Sequence, residues 1–183
     1  MLERRHHLAG LLASHVAADP QEAEHLARFH ALLQGPGDVF ARDHFVPGHV
    51  TASAFVLSPE RSDLLLILHG KLNLWLQPGG HVDPDDVDVF AAARREVEEE
   101  VGLADLELAH NGVFDLDVHD IPAHKAHPPH AHYDVRILLR ARHRDAVAGS
   151  DAKAVRWVPL PEVDAAHSDE SVMRAVRKLV ARL

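Results

Sequence analysis

Four glutamates crowd into five positions, Glu96, Glu98, Glu99 and Glu100, in a stretch that reads as the end of a helix. Ala91, Ala92 and Ala93 favour that helix, Val97 and Val101 repeat at i and i+4, and Gly102 stands where a helix stops. Glu96, Glu99 and Glu100 project from one face, whereas Glu98 points away toward solvent. The placement opposes stability. A helix C-terminus carries partial negative charge, and like charges at these spacings cost about 0.2–0.5 kcal/mol a pair. One reading is an acidic face left in water. The other is a hard divalent cation, which prefers carboxylate and carbonyl oxygens and offsets the repulsion. Arg94 and Arg95, one turn back, would pair with some of the carboxylates and hold their rotamers. Local rules broken together mark a functional site.

The residues upstream decide between the two readings. Gly79 and Gly80 follow a strand-like segment and allow a tight turn whose backbone comes close to a ligand. His81 to Asp86 come next, and after a short run the chain reads Arg95-Glu96-Val97-Glu98-Glu99-Glu100-Val101-Gly102-Leu103. This resembles the Nudix box, G-x5-E-x7-R-E-U-x-E-E-x-G-U with U aliphatic. The half from Arg95 to Leu103 matches at every specified position. In the first half Asp86 stands where glutamate is expected, and the loop before the helix is one residue longer.

The resemblance implies an α/β/α sandwich with a mixed sheet, and hydrolysis of diphosphate linkages in nucleoside diphosphate-linked compounds with Mg2+ or Mn2+. A diphosphate repels a hydroxide nucleophile; a dication neutralises the phosphate oxygens and acidifies bound water. By the same resemblance Glu96, Glu99 and Glu100 are the metal ligands, joined by the carbonyl of Gly80. Arg95 orients the carboxylates, and either Glu99 or Glu100 is the general base. Asp86 and Asp151 are candidate additional acids. The alternative is a Nudix-fold module that binds nucleotide or regulates without catalysis, which usually lacks box carboxylates; all three helical ones are present here. An isopentenyl-diphosphate isomerase shares the fold but relies on a cysteine, and this chain has none.

The elements that must position these groups follow the same logic. Leu2 to Val16 reads as an amphipathic helix. A second helix starts with Asp19 as cap, Pro20 at its first position and Glu22 two residues on, and Gly35-Pro36-Gly37 ends it. Residues 1–45 thus form a helical arm, and 46–183 a catalytic domain. Val50 to Leu57 and Leu64 to Leu68 read as a hairpin, Lys71 to Gln77 as an alternating strand, and Leu106 to Leu116 as a strand region turning at Asn111-Gly112. His119 to Pro129 reads as a loop. From His130 a strand puts His130, His132, Asp134 and Arg136 on one face, where His132, Asp134 and Arg136 would contact substrate and Arg136 suits a phosphate. The competing account is a polar, partly buried strand face. His127, His130 and His132 have a spacing that a transition metal such as Zn2+ would accept. Trp75 or Tyr133 would stack on a base, unless both are core. Val155 to Leu160 forms another strand, and Ser168 caps a last helix with Val172, Val176, Leu179 and Leu183 on its stripe.

Composition narrows the partners. A chain of 183 residues that is 46% hydrophobic can bury a full core. A formal charge of −9 argues against nucleic-acid backbones and membranes and leaves a small-molecule nucleotide as the expected partner. The arm offers a surface for a homodimer. The absence of cysteine, of a signal peptide in Met1 to His15 and of a membrane-spanning run fits a cytoplasmic protein. Seventeen histidines, scattered rather than grouped, read mostly as solvated residues that make the charge depend on pH.

Overall fold

Small and β-branched residues from Gly48 to Leu57 become the centre of the molecule. In the computed structural model every position of this strand is buried, as expected of a strand covered on both faces. The structure describes every residue except 1, 71, 125–126, 150–151, 165–166 and 183. In order, the elements are α1 (Leu2–Ala13), α2 (Pro20–Gln34), β1 (Gly48–Leu57), β2 (Asp63–His69), β3 (Trp75–Leu76), β4 (Gly79–His81), α3 (Val89–Val101), β5 (Leu106–Leu108), β6 (Asp115–Ile121), β7 (His130–Ala141), β8 (Ala152–Pro159) and α4 (Glu170–Val180). β1 and β7 run parallel over ten residues, from Gly48 opposite Ala131 to Leu57 opposite Arg140. The other strand pairs are antiparallel, with β4 alongside β1 and β6 alongside β7.

Period-2 alternation sorts the side chains of this mixed sheet into two cores. Val50, Ala52, Ala54 and Val56 of β1 face Leu8 and Leu12 of α1, Phe29 and Leu32 of α2, and Ala92, Ala93, Val97 and Val101 of α3. Phe55 and Leu57 face the opposite way, onto Val172, Ala175, Val176 and Leu179 of α4. The result is the α/β/α sandwich that the resemblance implies. The arm's apolar stripe belongs to the same core as the sheet, each large side chain contributing about 1.5–3 kcal/mol by leaving water. No helix among the described residues is long and apolar enough to cross a membrane.

Several boundaries differ from expectation. The segment read as a loop from His119 begins inside β6, where His119 to Ile121 pair with β7. Of the alternating stretch to Gln77, only Trp75 and Leu76 form a strand; its first residue, Lys71, lies outside the described residues. Asp169, not Ser168, caps α4 by accepting from Val172 N–H at 2.8 Å, while the Ser168 hydroxyl donates to the Trp75 carbonyl. Leu183, placed on the α4 stripe, lies outside the described residues.

α4 also presents Arg174 and Lys178 inward. Arg174 forks onto Asp115 at 2.8 and 2.6 Å, Arg136 reaches the same carboxylate at 3.2 Å, and Lys178 joins it to Glu22 of α2. Asp115 is 0% exposed. Glu22 also accepts from His15 and the Ala18 amide; burial opposes its charge, but these donors and Lys178 hold its carboxyl well below the usual range. A buried charge cluster holds only when the desolvated groups answer one another this fully.

Candidate active site

The acidic helix α3 starts at Asp88, whose side chain accepts from Ala91 N–H at 2.8 Å, and ends at Gly102, whose φ of 71° is the left-handed conformation that glycine adopts without strain. Val89, Ala92, Ala93, Val97 and Val101 are its buried side. The glutamates therefore emerge along the opposite edge, Glu98 and Glu99 exposed, Glu96 and Glu100 half-buried. Beyond the helix end, Val147 and Gly149 N–H groups donate to the carbonyls of Val101 and Glu100, so a loop satisfies backbone oxygens that would otherwise lack partners.

Arg95 is the hub. Its guanidinium donates to both oxygens of Asp86 (3.1 and 2.9 Å), to Glu96 at 2.9 Å, to Glu99 at 3.1 Å and to the His81 carbonyl at 2.9 Å. The Asp86 hydrogen bonds are the main reason Arg95 stays firmly protonated. The longer loop therefore still delivers Asp86, buried and in a two-point grip on Arg95, to a place from which it orients the guanidinium. Arg94, expected to share the carboxylates, turns instead to the Leu106 carbonyl at 2.6 Å.

β4 lies against this edge. Gly79 N–H donates to Glu100 Oε2 at 2.9 Å. A Cβ on Gly80 would stand 2.6–2.7 Å from the Glu96 carboxyl, so only glycine lets that carboxylate rest against the strand. Burial pushes the Glu96 carboxyl up, and Glu99 and Asp83 add to the effect while Arg95 opposes it. The three helical carboxylates do not share one donor: Arg95 holds Glu96 and Glu99, and the Gly79 amide holds Glu100. The donor set is oxygen only, carries more negative charge than Arg95 balances and adjoins a bare backbone. These properties suit a hard dication such as Mg2+ or Mn2+.

The other residues read from sequence divide. His132 and Asp134 share a face of β7 with Arg136, as expected. Asp134 is buried and accepts from Thr51, Ser53 and Arg136 at 3.2, 2.7 and 3.1 Å. Arg136 is 2% exposed and engaged by Asp134, Asp115 and Ser171. Its guanidinium is committed inside the protein rather than presented to a phosphate, because α4 packs over it. Trp75 packs partly against the α4 core, with the Arg156 guanidinium 3.9 Å over its ring. Tyr133 is core, edge-on to Phe29. Asp151 lies outside the described residues.

The histidines regroup. His127 bridges to His124 and packs edge-on to Phe45, a ring that His130 also meets at 5.0 Å. His132 keeps His130 beside it, with ring centroids 5.3 Å apart, and also meets His49 and His81 at 4.8 and 5.3 Å. Burial above all, then the charge neighbouring groups would carry, lowers His49 and His81 to about 4 and His132 to about 2. His119 is the exception: burial would lower it, but Asp117, 3.0 Å away, raises it. Sequence spacing missed His49 and His81 because strand pairing, not chain proximity, brings them together.

Residues 47–179 match the family model described as the NUDIX domain. No curated protein sequence matches the chain. Among solved structures the chain is similar to a C. elegans Ap4A hydrolase in a binary complex, at 22% identity and TM-score 0.55 over 73% of this chain and 96% of that one. It is similar to an E. coli dihydroneopterin triphosphate pyrophosphohydrolase at 19% and 0.57, covering 73% and 96%. A NUDIX family hydrolase from Clostridium perfringens gives 22% and 0.55, covering 74% and 98%. Identities this low establish a shared fold.

Proposed function

Because the chain belongs to the Nudix family, we propose that it hydrolyses a diphosphate bond in a nucleoside diphosphate-linked small molecule, with a divalent cation held along the carboxylate edge of α3. The observation that carries this reading is the Arg95 hub. One guanidinium locked by Asp86 touches Glu96 and Glu99 together, beside a strand whose Gly80 leaves room for a ligand. Glu96, Glu99, Glu100 and the Gly80 carbonyl would hold Mg2+ or Mn2+, which when bound neutralises phosphate oxygens and acidifies water.

The chain's own residues do the rest. Arg95 fixes Glu96 and Glu99 before substrate arrives, lowering the reorganisation needed in the reaction. Glu99, exposed and one turn from the rigid Glu96, is placed to take the proton of an attacking water; Glu100, held by the Gly79 amide, is the other group at that edge. Glu98 points to solvent and takes no part. The C. elegans and E. coli structures are of enzymes named for Ap4A and for dihydroneopterin triphosphate. That supports polyphosphorylated nucleotides and their analogues as the first substrates to try.

The test is a panel of nucleoside triphosphates, sugar nucleotides and dinucleoside polyphosphates incubated with the full chain and Mg2+ or Mn2+, with products identified by mass spectrometry. A phosphorylated product is expected from at least one compound. Turnover indifferent to both Glu99→Gln and Glu100→Gln would sink the mechanism. Tight binding without turnover in any metal would make the chain a binding module.

A further inference from the structure

β1, β4 and β7 each contribute one histidine to a single spot on the sheet. His49 of β1 stands directly opposite His132 of β7, and His81 of β4 stands opposite Thr51, two residues along β1 from His49. One ring nitrogen from each lies within 4.8 Å of the others, the one group of three or more His, Asp or Glu with this property among the described residues. The ring centroids are 4.8, 5.1 and 5.3 Å apart.

His49 is the telling member. It is 1% exposed, and its Nε2 is buried without a hydrogen-bond partner. On the far side of the ring, Nδ1 faces the His44 carbonyl at 3.4 Å. A proton on Nδ1 makes that contact and leaves the Nε2 lone pair free for a cation, the arrangement in which a metal-bound imidazole is oriented by a carbonyl behind it. A buried imidazole nitrogen left unpaired is costly, so simple ring packing does not account for it.

We propose that His49, His81 and His132 bind a transition-metal cation of the Zn2+ class, at a second site chemically distinct from the oxygen-lined edge of α3. Three imidazoles suit a borderline ion and suit Mg2+ poorly. Zn–N bonds of about 2.0–2.1 Å place tetrahedral ligands about 3.4 Å apart, reached from the present spacing by small ring rotations. His130, 5.0 Å from His49, and His119, 5.5 Å from His132, flank the group, and either or a water completes it. The ion would pin three strands together. Since His81 follows Gly80, it would also fix the backbone that borders Glu96. The site does not depend on the chain being a hydrolase.

The experiment titrates the chelator-treated full chain with Zn2+ by calorimetry, with bound metal counted by elemental analysis and thermal unfolding followed in parallel. One equivalent should bind and raise the melting temperature. His49→Ala and His132→Ala should each weaken binding at least about 100-fold, more than the 10–100-fold reported for loss of a supporting group. His6→Ala/His7→Ala, on the exposed face of α1, and Glu99→Gln should bind as the unaltered chain does. Undiminished affinity in both β-strand variants overturns the proposal, as does loss in Glu99→Gln, which would put the ion on the carboxylates. If the variants fail to fold, Co2+ replaces Zn2+ in the unaltered chain. Strong visible absorption of a four-coordinate nitrogen-ligated ion supports the site, and the faint spectrum of an oxygen-ligated octahedral ion overturns it.

Discussion

Beneath α4, Glu22, Asp115, Asp117 and Asp134 meet Arg136, Arg174 and Lys178; at the edge of α3, Asp83, Asp86, Glu96 and Glu99 surround Arg95. The first group is sealed from water, nearly balanced in charge, and each carboxylate is answered by a cation or hydroxyl. The second opens to solvent at Glu99, and its negative charge exceeds what Arg95 neutralises, with Arg42 adding only an exposed pair to Asp83. Both are dense in charge, yet only one has work left to do. A balanced, buried network supports the fold; an excess of one sign at a surface invites a counter-ion.

Four changes sharpen or break this contrast. Asp115→Ala leaves Arg174, Arg136 and Lys178 facing one another in the interior, and should lower unfolding free energy by about 3–5 kcal/mol in urea melts. A loss under 1 kcal/mol would mean that the network is not structural. Glu99→Gln should do the reverse: turnover down about 100-fold or more, with an unchanged melting temperature because the side chain is exposed. Acid should act on the neutral histidines in between. The folded values of His49 and His132 lie below the ordinary 6.5, so the unfolded chain takes up protons that the native state refuses. The contribution of these rings to the stability of the metal-free protein is therefore complete above pH 6.5 and is lost toward pH 4, with a slope of up to about 1.4 kcal/mol per pH unit for each ring. A flat profile over that range, followed by circular dichroism, would show that the rings titrate freely. Glu98→Gln, beside the catalytic candidates but turned to solvent, should change neither rate nor stability measurably.

The sequence was most informative where function distorts it. Glutamates at a helix C-terminus, Arg95 before them and glycines ahead of them were legible because each breaks or serves a local rule. Strand faces were legible too: the alternation from His130 placed His132, Asp134 and Arg136 together. What alternation does not carry is the identity of the element packed above. Arg136 looked available for phosphate because nothing in its own strand shows that Asp115 and Ser171 arrive from β6 and α4. The His49–His81–His132 group escaped for the same reason, since its members are separated by long intervals and meet only through register. Local turns misled as well, with Asp169 taking the capping role beside an equally suitable Ser168.

The docking of the arm has a bearing on how the chain is made. Leu8 and Leu12 bury themselves against a sheet centred on β1 and β7, and Arg4 donates to the carbonyls of Asp83 and Asp86. During synthesis the first forty residues leave the ribosome long before those surfaces exist, and β1 must wait some eighty residues for its parallel neighbour. Sequence-distant pairing of this kind is slow to close. The nascent helices α1 and α2 thus remain without their sheet until β7 has been made, and their apolar faces stay uncovered in the interval.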